Sequence, residues 1–311
     1  MQAFNTPILF LVFNRPELTI RVFEIIRKIK PTKLFIAADG PRIDTEGDIE
    51  KCKAVRKIVT QVDWDCDLIT LFRGENLGCG KAVSQAISWF FEQVEEGIIL
   101  EDDCLPSVSF FIFCQKMLCQ FRANEKIMHI GGSNFQNGIK RGADDIYFSK
   151  IPHIWGWATW RESWNNYEFS LKNYSCEDVK RVVNLNIQKD EIFDYWVSVY
   201  CQMINKPIDT WDYQWNFAIW RNNGISIIPQ KNLISNIGFG SCATHTVDVN
   251  SFAANIERHE IQIKSNPIFV KIHERADIFT YKNIYNIHFK KFFIERMYLR
   301  NKFKKLYNLF K

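Results

Sequence analysis

Apolar runs alternate with amphipathic segments through the first hundred residues. Residues 7–13 form an unbroken apolar run, which is typical of a buried strand, and residues 17–30 carry apolar side chains at helical spacing up to Pro31. The same alternation predicts further strands at 33–38, 66–72 and 97–100 and helices at 45–62 and 81–95. This order predicts an α/β fold with a mostly parallel, Rossmann-like sheet flanked by helices.

The pattern is less regular after residue 105. It predicts helices at 106–124, 178–199 and 212–221 and short strands at 127–130 and 225–229. Internal repeats and low-complexity linkers are absent from the sequence. We therefore expect a main domain over 1–250, made of halves 1–104 and 105–250, followed by an extension over 251–311.

The end of the chain differs from the rest. From Phe289 to Phe310 apolar residues fall at helical spacing, accompanied by many Lys and Arg and one acid, Glu295. A basic amphipathic helix of this kind can lie in a membrane interface. We therefore expect a basic amphipathic helical tail and peripheral membrane contact through residues 284–311. The alternative is a helix docked on the protein's own core.

Composition excludes several classes. The chain has 311 residues, 47% of them hydrophobic, so it can bury a sizeable core. A net charge of +5 is mild, and with no matching motif it indicates no nucleic-acid partner. Nine cysteines without a C-x-x-C pair favour reduced thiols. With no signal peptide or bilayer-length apolar stretch, the sequence predicts a cytoplasmic protein, located at the inner face of the membrane if the tail binds there.

The predicted fourth strand ends in three consecutive carboxylates, Glu101–Asp103. Adjacent like charges repel, and a divalent cation such as Mn²⁺ or Mg²⁺ is the usual partner of clustered carboxylates. Carboxyl ends of strands in open α/β sheets are also where ligands bind. The triplet therefore indicates a metal that meets a phosphate group, and the alternative is a solvated acidic turn.

Polar residues also follow the other predicted strands: Arg15, Asp39, and Arg73 with Asn76 and Lys81. An Asp can accept hydrogen bonds from a base or ribose, and cations contact phosphate. Together with the triplet, these residues predict a nucleotide site at one edge of the sheet. G-x-G-x-x-G and complete P-loop motifs are absent.

These motifs resemble the GT-A nucleotide-sugar glycosyltransferases. The chain is most similar to the inverting N-acetylglucosaminyltransferase I type and to bacterial enzymes of surface-polysaccharide assembly. The resemblance spans roughly residues 5–245. The segments that carry it are 7–16, ending in Asn-Arg-Pro, then Asp39, Asn76–Gly78, Glu101–Asp103, Gly156–Trp157 and Trp211–Asp212.

The resemblance implies roles for the strand-end residues. Asp103 would coordinate Mn²⁺ or Mg²⁺ on the donor diphosphate, while Glu101 and Asp102 would contact the donor sugar and ribose. Arg15 and Asp39 would hold the nucleoside. The implied donor is a nucleotide-sugar, with a uridine-linked sugar favoured, and the implied acceptor is a glycan or lipid-linked saccharide.

The resemblance also implies that Asp212 is the general base that deprotonates the acceptor hydroxyl and that Trp157 lines the sugar pocket. Asp209 is the rival base. A direct displacement by the acceptor hydroxyl would invert the anomeric configuration. The Gly-rich segment 236–245 is typical of a lid, and its His245 could touch diphosphate or metal.

Two rival hypotheses remain from the sequence. A non-catalytic carbohydrate-binding protein would use the Trp-rich segments for stacking but has no need of three clustered carboxylates. A sugar nucleotidyltransferase would usually show a Gly-rich loop after the first strand, where this chain has Asn14–Pro16. Ser133 and Asn134, which follow two glycines, could contact donor or acceptor hydroxyls or form a plain turn.

Overall fold

The structure is a computed structural model that describes residues 3–206, 208–240, 248, 251–265, 267 and 269–289. Its strands are β1 (Ile8–Val12), β2 (Lys33–Ala38), β3 (Asp67–Phe72), β4 (Glu96–Glu101), β5 (Cys104–Pro106), β6 (Ile127–Gly131), β7 (Ile146–Ser149), β8 (Trp157–Trp160), β9 (Ile225–Pro229) and β10 (Ile234–Asn236). Its helices are α1 (Pro16–Ile29), α2 (Asp48–Val59), α3 (Cys79–Phe91), α4 (Val108–Phe121), α5 (Arg161–Trp164), α6 (Cys176–Asn186), α7 (Asp190–Asn205), α8 (Asp212–Arg221) and α9 (Glu274–Asn283).

Eight strands form one sheet in the order β3-β2-β1-β4-β8-β6-β9-β7. The pairs β1–β2, β1–β4, β2–β3 and β6–β9 are parallel, whereas β8 and β7 run antiparallel to their neighbours. Strands β5 and β10 form a separate antiparallel ribbon. This confirms the predicted α/β fold with a mostly parallel, Rossmann-like sheet.

Both faces of the central sheet are covered. In β1, Ile8 and Phe10 face a core shared with α1, α2 and α4, while Leu9 faces a second core shared with α3, α7 and α8. All three side chains are fully buried. Burial on both faces explains why β1, β2 and β4 contain continuous apolar runs, whereas the edge strand β3 is only partly buried.

Two helices begin at positions that differ from those predicted by the sequence pattern. Helix α2 starts at Asp48 rather than at residue 45, because Gly47 directly before it has a left-handed backbone (φ 76°) that a right-handed helix cannot contain. The Asp48 carboxylate accepts hydrogen bonds from Arg42 Nε (2.7 Å) and Asn14 Nδ2 (2.6 Å). Helix α3 starts at Cys79 rather than at residue 81. Its first amides donate to Asp209, far along the chain, which holds the helix start in place.

The predicted mixed helix over 178–199 is two helices, α6 and α7, separated by residues 187–189, of which Ile187 and Lys189 are extended. Cys176 in α6 and Cys201 in α7 form a disulfide, and their Cα atoms lie 5.3 Å apart. The expectation that all thiols are reduced is therefore wrong at this pair. The sequence spacing of 25 residues gave no sign of it, because the antiparallel packing of two helices brings the residues together.

The described part of the C-terminal extension packs on the main domain. Glu260 accepts hydrogen bonds from the first amides of α4, and Asp277 in α9 accepts from Ser149 Oγ (2.6 Å) and Lys150 N (3.0 Å). Ile287, inside the region predicted to contact a membrane, is buried in the core. Residues 290–311, which carry most of the basic tail, lie outside the described residues. Across the described ranges, no helix has the length and apolarity to cross a bilayer.

Candidate functional site

The carboxyl ends of β1, β2, β3 and β4 lie at one edge of the sheet. The chain runs from β1 outward to β2 and β3, and then returns to place β4 on the other side of β1. Open α/β sheets bind ligands in the crevice at such a reversal of strand order. Arg15, after β1, and Glu101–Asp103, at the end of β4, flank this crevice, so the structure brings together the two predicted groups.

Arg15 connects the carboxylates that follow β4. Its guanidinium lies 2.5 Å from Asp102 Oδ1 and 3.1 Å from Asp103 Oδ2, and Asp102 Oδ2 also accepts from Phe13 N at 3.3 Å. Burial alone would lower the pKa of Arg15, but Asp102 and Asp103 together raise it. The guanidinium therefore remains charged and compensates part of the negative charge of the triplet.

The single positive charge of Arg15 does not neutralise the three carboxylates Glu101–Asp103. Burial, then Asp103 and Asp102, raise the pKa of Glu101 to about 8. Burial is also the main reason why the pKa of Asp102 rises to about 6, against the opposing effect of Arg15. The cluster therefore favours binding of additional positive charge, as a proton or a metal cation.

Asp39, after β2, is held by the loop that precedes α3. Its carboxylate accepts hydrogen bonds from Asn76 Nδ2 (3.0 Å), Leu77 N (3.1 Å) and Gly40 N (2.9 Å). Burial is the largest influence on Asp39 and raises its pKa despite these donors. The hydrogen bond between Asp39 and Asn76 holds the two side chains together at the crevice. The sequence predicted that both residues lie at the same edge of the sheet.

Arg73 and Lys81 differ in placement. Arg73, after β3, lines the crevice and donates to Ala82 O and Gln85 Oε1. Lys81 is an exposed residue in the first turn of α3 and does not line the cavities described below. Its predicted phosphate contact therefore remains a prediction that would need a movement of its side chain.

Two cavities open at this edge. A smaller one of about 200 Å³ is lined by Arg15, Asp39, Arg73, Asn76 and the carboxylates Glu101 and Asp102. A larger one of about 650 Å³ is lined by Asp103 and Asp212. Arg15, Cys79 and Glu101 line both cavities, so the two spaces meet at the strand-end cluster.

Aromatic rings dominate the wall of the larger cavity: Phe135, Trp155, Tyr195, Trp196, Trp211, Tyr213 and Tyr285. Trp157, predicted to line a sugar pocket, is instead 1% exposed in β8. Its ring stacks on Trp211 at 5.6 Å, because the β8 pairing turns Trp157 into the core. Other tryptophans line the cavity, and Trp157 lies in the core behind them.

The structure distinguishes the two candidate bases. Asp209 Oδ1 and Oδ2 accept from Gly80 N (2.8 Å) and Cys79 N (3.1 Å), so this carboxylate caps the start of α3. Asp212, the first residue of α8, accepts from Thr210 Oγ1 and lines the larger cavity. Asp209 also lines the smaller cavity, but backbone amides engage both of its carboxylate oxygens, and the role of Asp212 as the base stays a prediction.

The segment after β10 lies against the triplet. Ile237 N donates to Asp103 O at 2.9 Å, and a Cβ on Gly238 would overlap Asp103 Oδ2. Residues 241–245 of the predicted lid, including His245, lie outside the described residues.

Ser133 and Asn134 are buried parts of the turn after β6. Ser133 Oγ donates to Trp155 O at 2.9 Å, and Asn134 Nδ2 donates to Pro229 O at 2.6 Å. Their side chains hold neighbouring loops together, which matches the plain-turn alternative.

The carboxylates at the strand ends can be compared with the ligands that a divalent metal ion needs. Within the described ranges, no group of three or more His, Cys, Asp or Glu side chains is arranged to hold an ion. Mg²⁺ commonly takes one or two carboxylates and completes its shell with water and substrate phosphates. Asp103 beside the carboxylate cluster fits that arrangement, in which the ion arrives together with a diphosphate.

Comparison with known proteins concerns the fold. No protein family and no curated protein matches the sequence. Among solved structures, 4-diphosphocytidyl-2C-methyl-D-erythritol synthase from Anaerococcus prevotii aligns with 72% of this chain and 88% of its own, at 9% identity and a TM-score of 0.35. UDP-glucose pyrophosphorylase aligns with 75% of this chain and 93% of its own at 10% identity, with TM-scores of 0.38 with UDP-glucose bound and 0.37 without ligand. At this level the likeness describes the fold alone, and none of the three is named as a glycosyltransferase.

Proposed function

We propose that this chain is a divalent-cation-dependent enzyme that uses a nucleotide-sugar and transfers its sugar to a saccharide hydroxyl. The observation that carries the proposal is the junction of the two cavities at Arg15 and Glu101. The nucleoside would occupy the smaller cavity beside Asp39. The diphosphate would reach Asp103, and the sugar would project into the aromatic cavity that Asp212 lines.

The chemistry follows from these positions. A bound Mn²⁺ or Mg²⁺ held by Asp103 would neutralise the charge that develops on the leaving diphosphate. Asp212 would accept the proton of the acceptor hydroxyl as its oxygen attacks the anomeric carbon and the bond to the diphosphate breaks. One such displacement inverts the anomeric configuration. Arg15 would hold Asp102 and Asp103 in place.

Sugar nucleotidyl transfer is the second candidate, and the names of the three aligned structures keep it open. Besides the nucleotide phosphates, which the metal would meet, that reaction needs a second site for a sugar phosphate, and Lys or Arg side chains commonly bind such a group. Arg15 is the single Lys or Arg among the described residues that line the larger cavity, and two carboxylates already engage it. An aromatic, acidic cavity favours a neutral saccharide, so we place glycosyl transfer first.

The test is binding and turnover of a panel of UDP-, GDP- and dTDP-sugars, each with and without Mn²⁺. We expect one donor to raise the melting temperature only with the metal and to release a nucleoside diphosphate. Asp103→Asn should lose both effects, whereas Asp65→Asn, a control at an exposed carboxylate, should keep them. Equal turnover by Asp103→Asn would contradict the proposal.

A further inference from the structure

Thr210 lies on the wall of the larger cavity, two residues before Asp212. Its hydroxyl donates a hydrogen bond to Asp212 Oδ1. Among the residues that the structure describes, Thr210 is the one hydrogen-bond donor to this carboxylate. Hydrogen bonds to ionised groups are among the strongest that side chains make, so this contact fixes how the carboxylate is turned.

A helix cap does not account for the Thr210 hydroxyl. A threonine at the start of a helix usually accepts a hydrogen bond from a backbone N–H of the first turn. The N-cap residue of α8 is Trp211, and its side chain makes no cap hydrogen bond. The partner of the Thr210 hydroxyl is a carboxylate, which can only accept when it is ionised. The hydroxyl therefore acts as a donor to Asp212.

The backbone of Thr210 is held by several contacts. Thr210 N donates to Ile208 O at 2.8 Å, and Gln214 Nε2 donates to Thr210 O at 2.9 Å. Gly80 lies so close that a Cβ there would lie 2.8 Å from Thr210 O. The side chain is buried and β-branched, so it has few rotamers to adopt. The hydroxyl is thus presented from a fixed position.

The residues on either side of Thr210 are anchored as well. Asp209 accepts hydrogen bonds from the first amides of α3. The Trp211 ring stacks on Trp157 at 5.6 Å between centroids. The chain that leads into Asp212 is therefore rigid. The freedom that remains to Asp212 is rotation of its own side chain, which the Thr210 hydrogen bond restricts.

We infer that Thr210 is a positioning residue that engages Oδ1 of Asp212 and leaves Oδ2 directed at the acceptor hydroxyl. This assignment rests on the proposed glycosyl transfer with Asp212 as the base. The hydroxyl proton would pass to Oδ2 while the hydroxyl oxygen bonds to the anomeric carbon and the diphosphate leaves with the electron pair of the broken bond. Without Thr210 the carboxylate could rotate, and a small misplacement of a reacting group costs up to about a hundredfold in rate.

Three variants test the role of the hydroxyl. Thr210→Val removes it and keeps the shape of the side chain, whereas Thr210→Ser retains it. Thr60→Val makes the same change at an exposed threonine whose hydroxyl bonds its own helix. We expect kcat of Thr210→Val to fall roughly tenfold to a hundredfold with the KM for the donor unchanged. Thr210→Ser should recover most of that loss, and Thr60→Val should match the wild type.

A double-mutant cycle shows whether Thr210 acts through Asp212. In the Asp212→Asn background the base is already lost, so adding Thr210→Val should change the residual rate little. The same rate loss in both backgrounds would overturn the inference, because it would mean that Thr210 acts independently of Asp212. A wild-type kcat in folded Thr210→Val would also overturn it. If Thr210→Val does not fold, Thr210→Ala takes its place in the cycle.

Crystal structures of the wild type and Thr210→Val test the orientation without any substrate. We expect one position of the Asp212 carboxylate in the wild type and a rotated or multiple one in the variant. An identical carboxylate in both would overturn the inference whatever the protein catalyses. A wild type that releases no diphosphate with any donor and acceptor would instead refute the proposed function, and the two crystal structures would still decide whether Thr210 orients Asp212.

Discussion

Replacing Asp212 and Asp209 one at a time separates catalysis from folding. Asp212→Asn and Asp209→Asn make the same chemical change at two carboxylates near the same cavities. Asp209 accepts hydrogen bonds from the backbone amides of Gly80 (2.8 Å) and Cys79 (3.1 Å), whereas Asp212 lines the larger cavity. The two variants should therefore differ in kind, one in activity and the other in stability.

The magnitudes follow from these contacts. A positioned general base accelerates the chemical step roughly 10²–10⁴-fold, which lowers the activation free energy by about 3–5 kcal/mol. The kcat of Asp212→Asn should therefore fall by that factor, with donor binding unchanged. Asp209→Asn keeps one acceptor oxygen for two amides. Losing a helix N-cap costs roughly 0.5–2 kcal/mol, so this variant should melt a few degrees lower and keep most of its turnover.

The assay combines initial rates of nucleoside diphosphate release in the presence of acceptor, donor titration by calorimetry and a thermal melt of each variant. Activity is measured well below the lower melting temperature, so that unfolding does not enter the rates. Loss of turnover in Asp209→Asn together with retained turnover in Asp212→Asn would refute the assignment of the base.

Two further predictions concern Asp277 and the approach of Gly238 to the triplet. Burial raises the pKa of Asp277 from 3.8 to about 7, so between these values the folded state holds a proton that the unfolded chain has released. Stability should fall as pH rises across this window, and Asp277→Asn should flatten that part of a melting-temperature profile; an unchanged profile would contradict the shift. Gly238→Ala should stay folded but displace Asp103 and lose metal-dependent turnover. Gly74→Ala is the control and should keep its turnover, because its Cβ would meet nothing within 4 Å.

Local sequence patterns predicted the first half of the fold well. Strands buried on both faces are continuous apolar runs, and Glu101–Asp103, Asp39 and Arg15 follow them directly, so the strand-end cluster could be read from the sequence. Parallel strands place their carboxyl ends at one edge, which brought these residues together as expected.

The larger cavity could not be predicted in the same way. His153, Asn216 and Tyr285 come from a loop, from α8 and from the chain after α9, and only tertiary packing brings them together. The capping role of Asp209 and the burial of Trp157 have the same origin. Periodicity within one segment gives no sign of contacts between segments that lie far apart in the sequence.

The measurement that tests the central claim most directly is a ³¹P NMR time course of the donor that binds, with Mg²⁺ and a methyl glycoside acceptor. We predict that the nucleotide-sugar signals give way to those of a nucleoside diphosphate, and that the reaction stops when the metal is chelated. A parallel sample with added pyrophosphate should give no nucleoside triphosphate. Formation of the triphosphate there, without release of the diphosphate in the first sample, would identify sugar nucleotidyl transfer and contradict the account.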